Sequence, residues 1–320
     1  MTKKERIAAA VRGDTVDQVP SGFWFHFPEH QFYGEPAVSA HLDFLSRTDV
    51  DLLKVMNEYQ LRFDREVTDA SDWRKIRPLS PHDSMYRGQL DIIKAVADAV
   101  GDEVPIIATI HGVFASAFHA SRRPGESFSR SIRLMDHLLG APSDAAAGMR
   151  VVSGTLTELG LACLDAGADG IYYAALGGEE YRFTRQQFDE LVMPHDMAVL
   201  SALGDATDLL CLHICKDRVR LPQYWGYPAD VVNWAVHDSE YPLRKGRELF
   251  DAAILGGLDD RAGVMVDGAP PEVRDEVQRI VADFGTRKFI LGCDCTLPTD
   301  VRLENVRAAV DAAREMTEHP

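Results

Sequence analysis

Two short stretches carry residue types suited to metal chemistry. The chain reads Leu209-Leu-Cys-Leu-His213-Ile-Cys215-Lys-Asp in one place and Phe289-Ile-Leu-Gly-Cys293-Asp-Cys295-Thr-Leu-Pro298 in another. His213 and Cys215 are two residues apart at the end of an apolar run, so in a strand both point to the same side. Imidazole and thiolate are preferred zinc ligands. Cys293 directly follows Gly292 at the end of a second apolar run. If both runs are strands of one barrel, their ends share a mouth, and Cys293 would complete a His/Cys/Cys triad. Three protein ligands and one open position are the pattern of a catalytic zinc site. Spacing alone leaves another reading open: a polar core histidine beside an apolar cysteine, and two buried cysteines in a turn.

The elements that must position these residues are legible in outline. Candidate strands are Ser21–Phe25, Asp51–Met56, Val104–Ile110, Gly170–Ala174, Leu209–Ile214, Val231–Trp234, Ala252–Gly256 and Lys288–Leu291. Most are nearly continuous apolar runs, as expected of parallel strands buried on both faces. Helical patterns fill the gaps. The first helix has Thr2 as cap and Gly13 as stop, a second runs from Ser143 to Leu164 with Ser143 as cap, and a third from Thr184 to Leu203 with Gly204 as stop. Two more cover Pro270–Phe284 and Arg302–Met316. Eight strand-then-helix units without a composition break predict an α/β fold, a single-domain (β/α)8 TIM barrel over residues 1–320. An open doubly wound sheet would normally show a glycine-rich phosphate turn after its first strand, and none is present. Three polar stretches, His26–Gly34, His111–Glu126 and Gly177–Thr184, read as long loops at the C-terminal strand ends, where barrels place their chemistry. The first two are expected to wall the mouth.

Composition narrows the function classes. A formal charge of −16 on 320 residues, with no Lys/Arg block, argues against nucleic-acid partners and against an anionic membrane surface. The apolar stretch Ile7–Val11 is broken by Arg12 and Asp14, so it reads as neither a signal peptide nor a membrane span. An odd set of five cysteines, Cys163, Cys211, Cys215, Cys293 and Cys295, argues against a disulfide framework and for a reducing cytoplasm.

The order His-x-Cys, long gap, strand–Gly–Cys resembles the zinc motif of methylcobamide:coenzyme M methyltransferases, within the uroporphyrinogen decarboxylase superfamily. The similarity extends over most of the chain. It takes in Lys4-Glu-Arg-Ile-Ala-Ala-Ala-Val-Arg-Gly-Asp with Val19-Pro20, Ala166-Gly-Ala-Asp169-Gly-Ile, Asn233-Trp234, Gly256-Gly-Leu-Asp259-Asp260 and Leu303-Glu-Asn305-Val. True decarboxylases of that family carry an arginine-rich loop after the first strand, where this chain reads Phe23-Trp-Phe-His-Phe-Pro-Glu-His30. In place of their catalytic aspartate it has Lys54-Val-Met-Asn57-Glu58-Tyr59, and Gly292-Cys293-Asp294 in place of Gly-His-Gly. A porphyrinogen polycarboxylate would find no guanidinium clamps.

The resemblance therefore implies a zinc-dependent methyltransferase with Zn2+ on His213, Cys215 and Cys293 and with Cys295 outside the ligand set. The acceptor would be a small thiol held as a zinc thiolate, and the donor a methyl-corrinoid carried on a partner protein. These enzymes have glycine after the second ligand, whereas here Lys216-Asp217 follows. The alternatives are a lyase decarboxylating a small carboxylic acid and a corrinoid- or metal-binding protein without turnover. Glu58, His111 and Glu179 are the catalytic candidates, Glu179-Glu180 being a pair able to manage protons. Asn57, Lys216 and His237 are the substrate-binding candidates, Lys216 as partner for an anionic acceptor. His111 and His119 also read as a solvated loop, Glu179-Glu180 as solvated carboxylates and Lys216 as a surface lysine, while Asn57 or Glu58 could fill the fourth zinc position.

Overall fold

A computed structural model describes residues 1–80 and 82–316. Helices and strands alternate along it. Two helices, α1 (Lys3–Arg12) and α2 (Gly34–Thr48), precede β1 (Leu53–Val55). Then come α3 (Ser84–Val100), β2 (Ile106–His111), α4 (Val113–Ser121), α5 (Ile132–Gly140), α6 (Pro142–Asp165), β3 (Gly170–Ala175), α7 (Arg185–Leu191) and α8 (Met193–Gly204). The rest is β4 (Leu210–Ile214), β5 (Val231–Trp234), α9 (Leu243–Leu249), β6 (Ala253–Leu258), α10 (Pro270–Phe284), β7 (Phe289–Cys293) and α11 (Leu303–Arg314). The strands form one parallel sheet in chain order β1 to β7. Nearly all their residues are buried, which is why they read as unbroken apolar runs. Among the described residues no helix is long and apolar enough to cross a membrane.

The expected first strand, Ser21–Phe25, is not a strand of this sheet. It makes isolated parallel bridges, Ser21 to Leu291 of β7 and Gly22 to Leu52. Gly22 N–H donates to Leu291 O and Leu291 N–H to Pro20 O, while Leu52 N–H donates to Ser21 O. Both edges of the sheet therefore meet this segment, but through a few hydrogen bonds rather than a ladder. A side-chain clamp reinforces the seam. The fully buried Asp51 accepts from Ser21 N–H and Oγ–H and from Arg6 of α1, and Arg6 also pairs with Asp17.

That clamp has a pH signature. The hydrogen bond from Arg6 holds the Asp17 carboxyl down to about 2. A depressed folded-state value means the contribution is fully present above the ordinary value near 4 and is lost as pH falls toward 2. Asp17→Asn should flatten the acid limb of melting temperature against pH in that window, and an unchanged limb would contradict the assignment.

Helix ends follow sequence with instructive exceptions. Thr2 caps α1 with Glu5 in a reciprocal capping box, and Gly13 ends the helix at a left-handed φ of 78°. The helix expected from Ser143 starts earlier, with Ala141 at the cap position and Pro142 at its first turn. The helix expected over 184–203 is two. Thr184 caps α7, but the chain breaks at Val192 and restarts as α8 with Pro194 in its first turn. Proline has no N–H to donate backwards and cannot sit inside a helix without a break. The stretch 111–126 is not an open loop either, because α4 fills most of it.

Candidate metal centre

Register decides which residues reach the interior. His213 pairs with Ala174 and Asn233, Val232 with Ile254, and Ile254 with Phe289. Partners in a parallel ladder share a face, so His213, Asn233, Leu255 and Ile290 face one way and Phe289, Leu291 and Cys293 the other. The first face is the inside of the curled sheet, since Tyr172 of β3 meets Trp24 of the seam (ring centroids 5.0 Å) and stacks on His213 (5.3 Å). Phe289 packs instead on Phe284 of α10, in the outer layer.

Cys293 has the outward parity, so the structure does not bring it together with His213 and Cys215 as the sequence led one to expect. Beyond it the chain bends. Asp294 N–H extends the ladder to Leu258 O, and Leu297 N–H bonds to Trp24 O of the seam. The bend carries Cys295 over the end of the curled sheet. Its Sγ lies 3.3 Å from His213 Nε2 and 4.0 Å from Cys215 Sγ. His213, Cys215 and Cys295 bring their ligand atoms within 4.8 Å of one another, and among the described residues they form the one such His/Cys/acid group.

The donor set fits a tetrahedral thiophilic ion. Ordinary zinc–ligand lengths place two sulfurs about 3.8 Å apart, and sulfur and nitrogen about 3.5 Å apart. The observed spacings fall within a few tenths of an ångström of both. Cys295 is held well toward thiolate, chiefly by a hydrogen bond from Cys215, whose own thiol is pushed up by the same contact. The imidazole is set in the ligating form. Asn233 uses its Nδ2 hydrogens on Leu255 O (2.9 Å) and Cys293 O (3.0 Å), leaving only its Oδ1 for His213 Nδ1 at 2.5 Å. Nδ1 must then carry the proton, and the Nε2 lone pair faces Cys295.

A second pair positions the cysteine turn. Asp294 accepts from the His237 backbone N–H (2.6 Å) and lies 3.0 Å from its Nδ1. The hydrogen bond to Asp294 raises the His237 pKa. His237, expected to bind substrate, thus braces the segment between the two cysteines.

The other candidates are distributed around the mouth. His111 sits on the rung that joins Ala174 and His213, and burial pushes it down to about 3, so it is a neutral imidazole. With Asn57, Tyr86 and Gln89 it lines a small cavity of about 20 Å3. The Asn57 amide is engaged at both ends by backbone, Thr109 O and Tyr59 N–H. Glu58 lies against His26 at 2.7 Å. Lys216 projects toward the Phe128 ring, its backbone at a left-handed φ of 83°. Glu179 is fully buried against Arg182 (2.9 Å), and neither of its oxygens has a hydrogen-bond donor. Gly178 permits this: a Cβ there would overlap the Tyr224 hydroxyl.

Sequence reasoning missed Cys295, Asn233 and Lys54 as parts of this site. The alternation of β7 turns Cys293 outward and, carried on, would turn Cys295 outward too, so only the bend after the strand separates the two.

A family model described as Uroporphyrinogen decarboxylase (URO-D) matches residues 53–316. The chain belongs to the uroporphyrinogen decarboxylase family. Curated relatives of this family member include a methylcobamide:CoM methyltransferase of Methanosarcina acetivorans, 22% identical over 231 residues. That match covers 71% of this chain and 63% of the relative, just under two thirds of the latter's length. The corresponding protein of Methanosarcina mazei is 21% identical over 331 aligned positions, covering 91% of this chain and 92% of its own. A solved methyltransferase from Methanosarcina mazei superposes with a TM-score of 0.72 at 17% identity, over 98% of this chain and 99% of that one. At that identity the superposition speaks for the fold.

Proposed function

We propose that this member of the uroporphyrinogen decarboxylase family is a zinc-dependent methyltransferase that moves a methyl group from a methyl-corrinoid on a partner protein to a small thiol. The observation that carries the reading is the convergence of His213 Nε2, Cys215 Sγ and Cys295 Sγ at zinc spacing. We read the seam segment as the eighth stave of a one-domain barrel whose mouth this group occupies. The methyltransferases similar over most of the chain support the same reading.

His213, Cys215 and Cys295 would hold the zinc, which supplies the positive charge that keeps an acceptor thiol deprotonated at neutral pH. Asn233 fixes the His213 tautomer, and the His237–Asp294 pair fixes the turn that presents Cys295. Glu179, a buried carboxylate ion-paired with Arg182, is the proposed acceptor of the thiol proton. The acceptor sulfur then forms the S–CH3 bond as the donor's bond to methyl breaks, the electron pair leaving with the donor. Two protein sulfurs make the site electron-rich, which suits a nucleophilic acceptor better than an activated water. Decarboxylation of a small acid would instead have to stabilise the electron pair left on carbon as CO2 departs.

Incubating the purified, zinc-loaded protein with methylcobalamin and small thiols should yield thioether and demethylated corrinoid. Equimolar zinc without methyl transfer to any thiol, or release of CO2 from a small acid, would overturn the proposal.

A further inference from the structure

Lys54 is an anomaly that the proposed reaction has not used. It lies at the centre of β1 and its side chain is buried inside the sheet. Its register partner Ile107 leads through β2 to Gly170 and so to the inner face of β3. Among the described residues no carboxylate lies within ion-pair distance of the ammonium. It stands 4.4 Å from the Tyr172 ring centroid and 5.2 Å from that of Trp24, and it donates to the Met56 thioether at 3.1 Å. Tyr172 in turn stacks on His213 at an interplanar angle of 21°. A buried cation without a partner is costly unless something nearby supplies negative charge. The groups whose charge favours the ammonium are Cys295 first, then Glu58, Cys211 and Cys215. Burial lowers its pKa to about 8, so it still carries its proton at neutral pH.

Charge counting shows when that cation matters. Zinc on two thiolates and a neutral imidazole has a formal charge of zero. With Cys295 already a thiolate and Cys215 a thiol, zinc binding takes the centre from −1 to zero, so Lys54 gives the metal itself no help. A thiolate joining as fourth ligand takes the centre to −1, and this is the state a buried cation favours.

Resting on the metal reading above, we propose that Lys54 is the counter-charge of the acceptor-bound state. It stabilises the anionic acceptor sulfur from beneath the site, through the Tyr172–His213 stack, and contributes little to metal binding itself. Its position in the floor, covered by two aromatic rings, suits a long-range charge rather than a hand for substrate substituents. It is a positioning residue in the electrostatic sense. The aromatic faces also strengthen the cation's hold on its place.

The test compares wild-type, Lys54→Met and Lys54→Gln, each loaded with zinc and, separately, with cobalt(II), whose sulfur charge-transfer band reports thiolate ligation. The probes are 2-mercaptoethanol, which is neutral, and 3-mercaptopropionate, which is an anion. All three proteins should hold one equivalent of metal, and Lys54→Met should melt no lower than wild-type because it removes an unpaired buried charge. A unit charge about 10 Å away at an effective dielectric of about 20 changes an anion's affinity by roughly tenfold or more. Both variants should therefore bind both thiols at least about tenfold more weakly, by similar factors. Four results overturn the proposal: unchanged affinity for 2-mercaptoethanol, a loss confined to 3-mercaptopropionate, loss of metal from folded variants, or agreement of neither variant with the other. Wild-type protein that binds no zinc, or zinc but no thiol, would instead overturn the parent reading and this inference with it.

Discussion

Cys295→Ser should strip the protein of zinc, while Cys293→Ser should keep it. The two cysteines are separated by one residue, yet the substitutions act on different things. Cys295 supplies the sulfur 3.3 Å from His213 Nε2, and a serine hydroxyl is a poor replacement for a thiolate ligand. Four-ligand structural zinc sites bind at roughly 10–16 kcal/mol in total, so each protein ligand is worth on the order of a hundredfold in affinity or more. Cys293 is buried with the outward parity of Phe289, so serine there places a hydroxyl in an apolar layer at a cost of about 1–3 kcal/mol in stability. Zinc per chain after dialysis against a weak chelator measures the first effect, and the melting temperature the second. Zinc retained by Cys295→Ser and lost from Cys293→Ser would restore the triad expected from sequence.

The next largest effect should come from Asn233, a residue that touches no ligand atom of the ion. Asn233→Leu leaves His213 Nδ1 without an acceptor and two backbone carbonyls, of Leu255 and Cys293, without donors. The imidazole then loses its fixed tautomer and ring orientation, which typically costs tenfold to a hundredfold in metal affinity, roughly. Asn233→Asp separates the two functions. It keeps an acceptor for Nδ1–H but sets a carboxylate against two carbonyl oxygens in a buried position, so it should lose stability more than the leucine variant does. Competition with a chromophoric chelator reads affinity, and thermal unfolding reads stability. Zinc affinity unchanged in Asn233→Leu would remove the tautomer argument.

Seven of the eight expected strands appear with ends shifted by at most a few residues, because a strand buried on both faces writes itself as an apolar run. The eighth is the instructive exception. Ser21–Phe25 has the composition of a strand, yet its hydrogen bonds are divided among β7, the residues before β1 and Leu297 beyond β7. Nothing local distinguishes such a seam from a ladder strand. Similarly, the apolar spacing of 184–203 suggested one helix, but Pro194 overrode the pattern. At the site, His213 and Cys215 were visible because their spacing of two matches the pleat. Cys295 was not visible, because its position depends on a bend after β7 and on a backbone bond to Trp24, both tertiary. Lys54 was hidden for another reason. A lysine inside an apolar run reads as an interruption until the aromatic rings that cover it are known.

The last donor lies beyond the last strand, and this has a consequence for the order in which the molecule is made. His213 and Cys215 emerge together from the ribosome on β4, but two donors make a weak site. The third arrives only after β5, β6, β7 and the helices between them have been synthesised and packed. Tight capture of an ion is then possible only once the second half of the sheet has curled round to meet the seam. On the zinc reading, metal retention in this chain would record completed assembly: a partly built sheet would offer a half-site that exchanges its ion freely, and the finished one would hold it.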